Sequence, residues 1–279
     1  MYRGFNLKLD KRIFDNNSEI RYYSRKELKF KEEQEDDNKG FERLEKVLEG
    51  TEILDGNQIM KDWFPIEGKY HIFLSHSHRD LELAYAIAGK LREKHNLNVF
   101  IDSLVWGYCD DLLEKIDKKY CRGTIEGLYD YKKRNYSTSH IHMMLMNSLN
   151  QMIDRCEALF FLNTPNSVSI KDISDESKTA SPWIFSEIMM SQLIRKKTPK
   201  RLLKHTRLFS EESLNYTTLN ESTSPELNIK YQLELNHLSE LSNDEFSEWI
   251  ASDYDTPEEA LNSLYLLNPL ENIEIVNFN

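Results

Sequence analysis

The stretch "KYHIFLSHSHRDLELAYAIAGKLREKHNLNVFIDS", residues 69–103, decides the fold. Residues 70–74 form a short apolar run suited to a buried strand. Beyond the polar "SHSHRD", Leu83, Ile87 and Leu91 recur at every fourth position, which is the stripe of an amphipathic helix. Arg92, Lys94 and His95 put positive charge in the last turns of that helix, where its dipole favours it. Residues 97–102 make a second buried strand. Strand, helix, strand is a βαβ unit, and such a unit implies a parallel sheet.

Working outward, "DDLLEKIDKKY" predicts a helix over 110–120, with Trp106 and Gly107 in the loop before it. A second helix, "STSHIHMMLMNSLNQMIDRCE", carries Ile141, Leu145, Leu149 and Ile153 on one stripe. "ALFFLNTP" is a third buried strand, closed by Pro165. A polar loop over 166–180 leads to "SPWIFSEIMM", where Ser181 reads as an N-cap and Pro182 as the first helical residue. The order is that of an α/β layered fold. Past residue 197 the pattern weakens: "RLLKHTRLF" reads as a basic edge strand and the following polar run as a linker. "NDEFSEWIA" and "TPEEALNSLYLL" restore helix, the second with Thr256 as N-cap, Pro257 behind it and Glu259 placed for a capping box. Residues 1–68 read as an N-terminal extension with a short helix at "FERLEKVLEG", and 209–279 as a helical C-terminal extension.

Bulk properties narrow the function. The chain has 279 residues, 39% hydrophobic and 30% charged, with a net charge of −11. That acidity disfavours non-specific nucleic-acid or anionic-membrane binding. No apolar run approaches the roughly 18 residues needed to span a bilayer, and the N-terminus lacks a signal-peptide core. Three cysteines form no CxxC pair, so a cytoplasmic protein with reduced thiols is expected. GxGxxG and the P-loop motif are both absent. His76 and His78, like His140 and His142, lie two apart without Cys or carboxylate at metal spacing, so no metal is expected.

Glu187 is the anomaly. Trp183, Ile184, Met190 and Ile194 surround it at helical spacing, it is not at the capping-box position, and no cation lies three or four residues away. Such a carboxylate has either a distant partner or a chemical role. In a parallel sheet, ligands bind at the carboxyl ends of the strands. "SHSHRD", "DSLVWG" and "NTPNS" fall at those ends, and the first turns of the Glu187 helix can reach the same edge. Ser75 and Ser77, with a helix N-terminus behind them, could hold a diphosphate; alternatively "SHSHRD" is a plain turn. Trp106 could stack on a flat ring or fold over the sheet edge. Asp102 could orient a sugar hydroxyl or bond the next backbone as an Asx turn. Phosphate, ring and carboxylate together suggest attack on the glycosidic bond of a dinucleotide. Nicotinamide leaves NAD+ as a neutral base, so one glutamate facing the ribose suffices, without the second acid that glycosidases use.

In order and spacing, "YHIFLSHSHRD", "NVFIDS", "ALFFLNTPNS" and "SPWIFSEI" resemble the Toll/interleukin-1 receptor (TIR) domain over residues 69–195. The resemblance implies a flavodoxin-like parallel sheet and a TIR domain over 69–208. It also implies NAD+ cleavage by the glutamate of a W-x-x-x-E helix, matched here by Trp183 and Glu187. Ser75, His76, Ser77, Asp102, Trp106 and Trp183 then become expected substrate-binding residues, with NAD+ as substrate and no cofactor. Stand-alone bacterial TIR proteins of Thoeris-type anti-phage defence are the nearest likeness. They imply an ADP-ribose-derived signal, a homo-oligomer when active and a separate effector protein. The rival expectation is a non-catalytic TIR scaffold acting through homotypic contacts, although animal adaptors of that kind commonly lack the glutamate. Two departures from compact family members stand out: a longer segment around "RGTIEGLYDYKKRNYSTSH", and no evident fourth and fifth strands after residue 197.

Overall fold

The computed structural model describes residues 1–9, 11–34, 55–64, 68–125, 127–168, 177–205 and 229–269, without the side chains of 62–63, 103–108 and 203–205. The expected helix at "FERLEKVLEG" lies outside them. The chain is α/β. Strands β1 (Arg3–Lys8), β2 (Ile72–Ser75), β3 (Val99–Ile101), β4 (Ala158–Leu162) and β7 (Ser239–Ser242) form one parallel sheet in the order β3-β2-β4-β1-β7. A separate antiparallel pair joins β5 (Lys178–Thr179) to β6 (Tyr231–Gln232).

The three strands expected from their apolar runs stand side by side as β3, β2 and β4, the first half of a flavodoxin-like sheet. The remaining places are filled from the segments expected to be extensions. β1 inserts between β4 and β7, so residues 3–8 belong to the sheet itself. Its polar appearance is explained by its partners. Arg3 is buried and donates to Tyr265 O at 3.1 Å and Ser239 Oγ at 2.5 Å. Asn6 accepts from Asn163 Nδ2 at 3.0 Å. Gly4 makes room for Leu238, whose Cδ2 would lie 2.3 Å from an added Cβ.

Helices cover both faces, and the two-residue alternation of the strands feeds both cores. On one face, α1 (Asn17–Gln34), α3 (Leu81–His95), α7 (Asn243–Ala251) and α8 (Pro257–Leu267) pack Ile20, Ile87, Trp249 and Leu261 against Leu74 and Phe160. On the other, α2 (Gly56–Trp63), α4 (Ser103–Tyr120), α5 (Tyr131–Arg155) and α6 (Pro182–Leu193) bring Leu112, Leu145 and Ile184 to Phe73 and Phe161. Ile141, Leu145, Leu149 and Ile153 are all buried, as their stripe predicts. Among the described residues, no helix is long and apolar enough to cross a membrane.

Three local expectations change. The loop expected around Trp106 is the first part of α4. One Gly within a helix costs about 1 kcal/mol against Ala, and burial of Cys109, Leu112 and Ile116 outweighs it. Residues 200–205 form a 3-10 turn instead of an edge strand. Leu202 N bonds Pro199 O there, and Arg201 forks onto Glu157. The third concerns Glu259, which accepts from Asp255 N at 3.1 Å, one residue before the Thr256 cap. The full capping box belongs to Ser242 and Glu245, which open α7.

Candidate active site

Segments leaving β2 and β4 run in opposite directions: through α3 to β3, and through α6 to β7 on the far side of β1. Neighbouring strands with diverging connections create a crevice at their carboxyl ends, the usual ligand position in open α/β sheets. Ser75 closes β2, Asp102 follows β3, and the loop after β4 begins at Asn163.

α6 carries Glu187 to this edge. Ser181 accepts from Ile184 N at 3.3 Å with Pro182 in the first position, which fixes where the helix starts and which face it buries. Glu187 is only 2% exposed, and neither carboxylate oxygen has a hydrogen bond of normal geometry among the described residues. Its polar neighbours are Ser75 and Asp102. Burial, followed by the like charge of Asp102, pushes its pKa well above the ordinary carboxylate range, with Ser75 acting in the opposite direction.

Asp102 makes no side-chain cap to the helix behind it, so the Asx-turn alternative does not hold. It turns inward, where Oδ1 lies 3.0 Å from His76 Nδ1. That nitrogen is also 3.3 Å from Leu74 O. Burial works to lower the His76 pKa; the Asp102 carboxylate, the Leu74 carbonyl and the charge of Asp80 outweigh it, and the pKa is raised. Ser75, His76, Asp102 and Glu187, drawn from three separate segments of the chain, thus form one buried group at the strand ends.

The other expected residues sit around it. Ser77 caps the 3-10 turn His78–Asp80 by accepting from Arg79 N at 3.4 Å. Trp183, one turn before Glu187, meets His142 of α5 edge-on with ring centroids 5.5 Å apart. The Trp106 side chain lies outside the described residues. His78 is exposed while His76 is buried, and His140 rests against Tyr136. Among the described residues no three His, Cys, Asp or Glu side chains cluster as a metal site. The cysteines are free and buried, and burial pushes the Cys109 and Cys156 thiols up to about 12.

One feature was not legible beforehand. Asp80 accepts from Thr164 Oγ1 at 2.5 Å and from Asn166 Nδ2 at 2.7 Å, bridging the loops after β2 and β4. Ser167 Oγ anchors the second loop to Leu162 O at 2.9 Å. The helix end expected to face a diphosphate therefore already carries a carboxylate. The polarity of "NTPNS" was the available signal; its partner was not. With Ser75 at 0%, His76 at 3% and Asp102 at 5% exposure, the group is enclosed, not set in an open pocket.

Comparison with protein-family models, curated proteins and solved structures finds no match to this chain.

Proposed function

We propose that this chain is a TIR-type NAD+ nucleosidase that cleaves the nicotinamide glycosidic bond and releases an ADP-ribose-derived signal, as in bacterial anti-phage defence. The observation that carries the reading is Glu187, a buried carboxyl without a hydrogen bond of normal geometry among the described residues, at the carboxyl ends of β2 and β3 beside Ser75 and Asp102. Two further features support it: the four-residue spacing from Trp183, and the order of the three strand-end segments along the chain.

In the proposed reaction the departing base carries no charge, so protonation of the leaving group is not needed. Glu187 in its ionised form faces the ribose and stabilises the oxocarbenium-like transition state; low water content raises the value of that charge. Entry of the dinucleotide requires the enclosed crevice to open between the loops that Asp80 bridges. Proton NMR of NAD+ incubated with the protein tests the reading: free nicotinamide accumulates with the wild type and not with Glu187→Gln.

The scaffold reading draws on a different observation. Leu128, Tyr131 and Tyr136, in the segment that is longer than in compact TIR domains, are 58%, 78% and 71% exposed. On that reading Glu187 is structural, and neither protein yields nicotinamide.

A further inference from the structure

The buried group at the strand ends has a charge count that constrains its ligand. Two carboxyl groups, Asp102 and Glu187, adjoin each other. Asp102 is ion-paired with His76, whose Nδ1 lies 3.0 Å from Oδ1. An ionised Glu187 would be a buried charge beside a second carboxyl, relieved by the Ser75 hydroxyl alone among its described polar neighbours, an arrangement that proteins avoid by holding the proton. Three other titratable groups around the site have partners of their own. His142 meets Trp183, His237 Nε2 lies 2.8 Å from Ser191 Oγ, and Asp80 is bonded to Thr164 and Asn166.

We propose that Asp102 makes this site specific for a cationic base: Glu187 is protonated in the free protein, and a pyridinium dinucleotide binds with release of that proton to solvent. The inference rests on the NAD+ reading and extends it to the charge of the substrate. A positive ring beside two carboxylates supplies the missing counter-charge, so the O–H bond of Glu187 breaks and the carboxylate needed for the reaction is formed by binding itself. Oxidised dinucleotide is then selected over the reduced form, whose ring is neutral. In this scheme Asp102 is a positioning residue, acting through Glu187 and His76.

The test is isothermal titration of the full-length protein with the carbocyclic analogue of NAD+, which keeps the pyridinium charge and resists cleavage. Runs at pH 7 in phosphate and in Tris, whose ionisation enthalpies differ, give the number of protons released. About one proton per ligand is expected, with affinity tightening about tenfold per pH unit. NADH is expected to bind without proton release. Asp102→Asn removes the like charge that helps hold the proton on Glu187, so the analogue binds that variant with less proton release, and Asp102→Glu restores it. Binding of the analogue without proton release by the wild type overturns this inference and leaves the NAD+ reading intact. No binding of either dinucleotide, to the wild type or to an Asp80→Ala variant with the bridge cut, overturns both.

Discussion

Asp80 and Thr164, which lie 84 residues apart, are joined by a 2.5 Å hydrogen bond that ties the loop after β2 to the loop after β4 across the mouth of the crevice. With Asn166 on the second carboxylate oxygen, the bridge holds together the two loops between which a dinucleotide must enter. Asp80→Ala removes both bonds. We expect a loss of about 1–2 kcal/mol in urea unfolding, together with faster nicotinamide release. A variant that loses stability with no gain in rate would make the bridge a purely structural contact.

The protonation of Glu187 makes stability depend on pH in a fixed direction. Its native pKa is raised, so above the ordinary value of 4.5 the native state holds a proton that the unfolded chain has given up. The corresponding stability is fully present below that value and is lost as pH rises through the native pKa. Glu187→Gln cannot ionise. Its advantage over the wild type in chemical denaturation should therefore grow as pH rises from the ordinary value of 4.5 towards the raised native pKa, by at most about 1.4 kcal/mol per pH unit. An advantage independent of pH would mean that Glu187 is ionised in the native protein.

How much of this was readable in advance depends on where the partners lie. β2, β3 and β4 are buried on both faces and announce themselves as apolar runs, and Ser181–Pro182 marks the start of α6 through purely local chemistry. β1 is hidden because Arg3 and Asn6 find hydrogen-bond partners in Tyr265, Ser239 and Asn163, none of them near in sequence. β7 is hidden because, as an edge strand, it buries only Leu241. At the site, Glu187 could be found by elimination, since it lacks every local explanation. The bridge from Asp80 could not, because its two sides meet only in the folded chain.

His76 is the counter-ion of a buried carboxylate, so its removal should be costly. His76→Ala leaves Asp102 beside Glu187 without its imidazolium and should lower stability by roughly 3 kcal/mol at pH 6. The raised pKa of His76 sets the direction of the pH effect. The pair's contribution is present below the ordinary value of 6.5 and is lost as pH rises through the native pKa, so the deficit should shrink in alkaline solution. Thermal melts of both proteins from pH 6 to pH 9 check this.

Close backbone contact between α1 and α3 gives a test of the fold away from the site. A Cβ at Gly89 would stand 2.4 Å from the carbonyl oxygen of Tyr23. Alanine is favoured over glycine within a helix by about 1 kcal/mol, yet Gly89→Ala should destabilise by about 2 kcal/mol because the two helices must separate. Unchanged or increased stability in urea would show that α1 does not pack against α3 as described.

The central claim is that Glu187 belongs to a site that cleaves NAD+. The most direct measurement is chromatographic separation of the products formed from NAD+ by the purified protein and by Glu187→Gln, with folding of both verified by their melting curves. The account predicts nicotinamide and an adenine-containing ADP-ribose product in equal amounts from the wild type, and neither from the variant. Equal release by the two proteins, or none from the wild type at any protein concentration and with infected-cell lysate added, would contradict it.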